Sequence, residues 1–163
     1  MNCWGFILAI ARGCLPSHEV PAKIKRWLES EEHSCVQIFG ELARNTLFTY
    51  VVTLSPEREF VVFQPSNKKD SIHISGALVL STDQIKKLHQ KSKDDQVEIF
   101  MELQLKLASL DVEFTFEGRE ICRRIGINHT IYFDGLTKDR LLKAVSLFHK
   151  AYSLASWVLE KSI

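Results

Sequence analysis

Cys122 and His129 are the two side chains whose types and spacing come nearest to chemistry in this sequence. They can approach each other across a hairpin. A cysteine nucleophile needs a base at that distance, an orienting group and oxyanion donors. Arg123 and Arg124 are the neighbouring candidates for holding a charged substrate. Against this stands the ordinary behaviour of a free cysteine, which packs as a small hydrophobe. No convincing base and orienter accompany Cys122, so it is expected not to act as a nucleophile. The enclosing loop, Gly118 to Gly126, is expected to be exposed and mobile.

Other constellations are weaker. The histidines are His18, His33, His73, His89, His129 and His149. No two lie four apart on one helix beside a carboxylate, so the helical zinc pattern is missing. His33 and Cys35 are too close for a typical ligand pair with two further ligands elsewhere. Glu113 and Glu117 fall on one side of a strand. Alternation with Val112, Phe114 and Phe116 explains them as a solvated face. Phosphate-cradling and nucleophile-elbow glycine motifs are missing. Lys86, Lys87, Lys91 and Lys93 make one basic cluster, and Arg119, Arg123 and Arg124 another. A net charge of +1 and the lack of a base-reading motif argue against nucleic acid. No catalytic residue, metal or cofactor is expected.

A chain of 163 residues fits one domain with a sizeable core. The composition, 45% hydrophobic and 25% charged, is that of a globular protein. The scattered Cys3, Cys14, Cys35 and Cys122 suggest no disulfide framework and a reduced, cytoplasmic setting.

The elements that must position these residues follow from periodicity. Residues 1–19 form an apolar arm or extra helix ahead of a single domain over 20–163. The run Trp4 to Ala11 is too short to span a bilayer, and a signal peptide would want a basic start and a small-residue cleavage site. Arg12 spoils a lipoprotein signal at Cys14. Val20 to Glu32 reads as a helix, with Pro21 at a favoured early position. Ser34 to Ile38 begins a weak strand, and Gly40 to Asn45 a loop. Thr46 to Leu54, Glu59 to Gln64 and Ser71 to Leu80 form an antiparallel meander. Ser81-Thr82-Asp83-Gln84 fits a capping box. The helix it opens is interrupted at Lys91 to Asp95 by a kink, a loop between two helices, or a solvated turn. Val97, Phe100, Leu103, Leu107 and Leu110 then form an apolar stripe. Val112 to Glu117 and Ile127 to Phe133 are strands. The order is α-β-β-β-α-β-β-α: an α+β domain with helices packed on one face of an antiparallel sheet.

The chain closes on IYFDGLTKDRLLKAVSLFHKAYSLASWVLEK. Asp134-Gly135 signals a turn, because glycine accepts a positive φ. Thr137 is the expected N-cap and Asp139 suits the first turn. Two apolar rows follow. Leu141, Val145, Phe148, Tyr152, Ala155 and Leu159 form the larger one; Ala144, Leu147, Ala151, Leu154 and Val158 form the second. Together they cover about half the helix surface. The helix is either wedged inside its own chain or part of an interface.

The run IYFDGLTKDRLL, followed by an alanine-rich apolar helix with the late Trp157, resembles an uncharacterised archaeal family of small proteins similar in fold to type III secretion chaperones. The resemblance covers about residue 20 to the end, which leaves open a natural start downstream of residue 1. It implies a fold and no reaction. The leading expectation is a small cytoplasmic binding or chaperone-like protein, a homodimer acting through an apolar surface. Ala144, Leu147, Ala151, Leu154 and Val158 would meet the second copy or a protein or peptide partner, and neither nucleic acid nor a membrane is expected. The alternative is an enzyme using the 118–133 hairpin region.

Overall fold

The β-branched and aromatic residues between Thr46 and Val79 build three long adjoining strands, as their alternation requires. The computed structural model describes residues 19–55, 58–118 and 122–163. Its elements run α1 (Val20–Glu29), β1 (Ser34–Gln37), β2 (Thr46–Ser55), β3 (Arg58–Pro65), β4 (Ser71–Val79), α2 (Thr82–Gln90), α3 (Lys93–Ala108), β5 (Glu113–Glu117), β6 (Arg124–Tyr132) and α4 (Lys138–Ser162). Short 3-10 turns occupy Glu41–Ala43 and Phe133–Gly135. The strands form one open six-stranded sheet in the order β1-β2-β3-β4-β6-β5. The fold is α+β, with an antiparallel sheet and four helices in the expected order. The expected arm over 1–19 lies, except for Glu19, outside the described residues.

The chain divides into two compact units. Of the described residues, the first takes 19–74 and Thr130–Lys143; the second takes Ser75–His129 and Ala144–Ile163.

In the first unit, β2 and β3 set the core. Their register places Phe60 opposite Val52, Val62 opposite Tyr50, and Gln64 opposite Phe48. Directly opposed residues share a face, and these six are buried. The reverse face carries Val51 opposite Val61, both only partly covered. Buried Gln64 donates from Nε2 to the Lys69 carbonyl at 3.1 Å, which shapes the polar loop after β3. β1 pairs with β2 from Ser34–Thr53 to Gln37–Tyr50, so the weak strand is real.

Helix α1 buries Val20, Ile24 and Leu28. It stops at Glu29, three residues before the periodicity suggests. The Glu32 amide bonds the Glu29 carbonyl, and the His33 amide bonds the Leu28 carbonyl. That is the Schellman pattern, with Glu32 at φ 63° where glycine is usual. Glu31 forms an ion pair with Lys138 at 2.8 Å, which holds its carboxyl below the ordinary range.

The turn before α4 also differs from expectation. Gly135 lies in a 3-10 turn and is not at positive φ. Its missing side chain instead makes room for Arg140, whose guanidinium donates to the Gly135 carbonyl at 3.4 Å. Thr137 caps α4 by accepting from the Arg140 amide at 3.2 Å.

In the second unit, the break at Lys91 resolves as two helices. Ser81 and Gln84 close the capping box of α2 in both directions. Lys91 then turns extended, at φ −80° and ψ 153°, and ends α2. Ser92 caps α3, accepting from the Asp95 amide at 3.1 Å and donating to its carboxylate at 2.7 Å. Gln96 reaches back across the break. Its Nε2 donates to the carbonyls of Leu88 at 2.8 Å and Lys91 at 3.1 Å. Both carbonyls lie at the end of α2, where helix carbonyls lack i+4 partners, and the one at Leu88 also accepts from the Lys91 amide at 3.2 Å.

The expected 118–126 loop is shorter than its glycines imply. Arg124, Ile125 and Gly126 already belong to β6, paired with Glu117, Phe116 and Thr115. A Cβ at Gly126 would come within 2.6 Å of Thr115 Oγ1, so the glycine serves close strand approach. Residues 119–121 lie outside the described residues.

Gln96→Ala removes both clasp bonds, leaving the Leu88 carbonyl with only the Lys91 amide. We expect a loss of about 1–2 kcal/mol in urea unfolding with an unchanged m-value. A change within error would mean that the two helices hold their angle without it.

Candidate interaction surface

The sequence candidates for chemistry do not converge. Cys122 precedes β6, whereas His129 sits six positions into it. The strand between Arg124 and His129 spans about 16 Å. The His129 ring nitrogen Nδ1 is engaged with the Asp111 carbonyl at 2.9 Å. Cys122 donates from Sγ to the Arg124 carbonyl at 3.3 Å. Burial pushes its thiol up, against lesser lowering from backbone hydrogen bonds at Arg124 and Glu117. Arg124 pairs with Glu117 at 3.2 Å, and Arg123 points to solvent. The buried Cys35 thiol is likewise pushed up, to about 11, chiefly by desolvation. Among the described residues no group of three His, Cys, Asp or Glu is arranged to hold a metal ion.

What the structure does assemble is an apolar surface on α3. Ile99, Leu103 and Leu107 are its buried row. The stripe read from the sequence is therefore corrected: Val97 is not part of the core-facing row. Val97, Met101 and Leu105 instead point outward, 57%, 56% and 71% exposed. At 100° per residue the two rows are centred about 160° apart. One helix thus carries apolar rows on nearly opposite faces, and among the described residues only one of them is buried.

The surroundings of the outward row are defined. On one side, Asp94, Glu98, Glu102 and Lys106 join it to line a shallow groove of about 710 Å³. Lys106 pairs with Glu102 at 3.5 Å and lies 5.3 Å from the centre of the Trp157 ring. Lys161 lies 5.4 Å from the same ring. On the other side, Phe100, Gln104, Phe116 and Cys122 help line a second hollow of about 380 Å³. Phe116 contacts the Phe100 and Phe114 rings at 5.6 and 5.7 Å. Phe114 and Phe116 belong to β5, which among the described residues is an edge strand of the sheet. Cys122 therefore serves as part of an apolar wall.

The second row of α4 has a divided position. Ala144, Ala151 and Val158 are buried, whereas Leu147 and Leu154 are half-buried. The larger row is buried at Leu141, Val145, Phe148, Ala155 and Leu159. The two leucines lie at the rim of that arc, and Trp157 beyond it is 50% exposed. No helix of the described residues is long and apolar enough to cross a membrane.

Residues 20–159 match the family described as "Uncharacterized conserved protein (DUF2299)", and the chain belongs to that family. Its fold is similar to the crystal structure of an uncharacterized protein from Methanothermobacter thermautotrophicus, with a TM-score of 0.80 and 26% identity. That match covers 90% of this chain and 98% of the other. A fainter similarity, TM-score 0.39 and 11% identity over 86% of this chain and 89% of the other, is to YbjN of E. coli, a protein proposed to regulate transcription. A likeness of that size says nothing about this chain. No curated protein matches it.

With both thiols raised, neither Cys35 nor Cys122 carries much thiolate at neutral pH. In a Cys3→Ser/Cys14→Ser protein, we expect both to react with a disulfide reagent more slowly than an unstructured cysteine, and faster only as the pH rises past the ordinary thiol range. Rapid modification of Cys122 at or below neutral pH would contradict the packing role.

Proposed function

Starting from membership of a family with no described activity, we propose that this chain is a small protein-binding module whose contact surface is the outward row of α3. The observation that carries the reading is the exposure of Val97, Met101 and Leu105 on a helix already anchored by a second apolar row. Contiguous apolar side chains rimmed by charge mark interaction surfaces. Burying a side chain of this size contributes about 1.5–3 kcal/mol, so three of them and a groove supply a worthwhile driving force. The chaperone-like form of the reading, in which a partner segment lies along the surface, is supported by the groove beside the row and by β5, an edge strand among the described residues. The free thiols at Cys35 and Cys122 suit a reducing cytoplasm.

Exposed side chains can be changed at little cost to the fold. Leu105→Glu and Met101→Glu should alter stability by about 0.5 kcal/mol or less. In an extract of the native host, the wild-type chain should travel in size exclusion as a larger species, and both variants at the mass of the chain alone. Unaltered migration of the variants, with the fold intact by circular dichroism, would remove this surface from the function.

A further inference from the structure

We draw no further inference here: the strongest candidate, the hollow between α3 and the edge strand β5 in the second unit, lies beside the contact surface already described, and nothing in the structure shows what covers it.

Discussion

The carboxamide of Gln96, bonded to the carbonyls of Leu88 and Lys91, joins α3 to α2 in the orientation that buries Ile99, Leu103 and Leu107. Those two bonds tie the first turn of α3 to the end of α2, across a break that Lys91 makes by turning extended. In that orientation Ile99, Leu103 and Leu107 face inward and Val97, Met101 and Leu105 face outward. A single continuous helix from Thr82 to Ala108 would have placed the two rows by the phase of α2. The surface on which the functional account depends therefore goes with that break and with the burial of Ile99, Leu103 and Leu107 on the opposite face.

Much of the fold is legible in the residues themselves. The capping box at Ser81 and Gln84, the cap at Thr137 and the strand runs are local signals with local causes. The differences have tertiary or unusual causes. The end of α1 depends on Glu32 taking a left-handed φ, and no glycine flags it. The start of β6 is masked by Gly126, which reads as a loop residue but is needed for contact with Thr115. The clasp at Gln96 bonds a carbonyl eight residues away, beyond any capping pattern.

The outward row of α3 was hidden for a different reason. Val97 fits an apolar stripe with Phe100, Leu103 and Leu107 as well as Ile99 fits one with Leu103 and Leu107. Periodicity shows that α3 has apolar residues on more than one side; it does not say which side the chain covers. On α4 the larger row is largely buried as its size suggests, and the second row divides between buried alanines and half-buried leucines. Cys122 and His129 are close in sequence, but Cys122 precedes β6 and His129 lies six positions into it, and a strand holds its residues apart.

The central claim is that the outward row of α3 is a contact surface. The sequence contains two methionines, Met1 and Met101, so methyl-labelled methionine gives a spectrum simple enough to read at one position. The account predicts that the Met101 methyl signal shifts or broadens as the protein is concentrated or mixed with unlabelled extract of its host. It also predicts that this response disappears in Leu105→Glu. A Met101 signal that stays the same under every one of these conditions would contradict it.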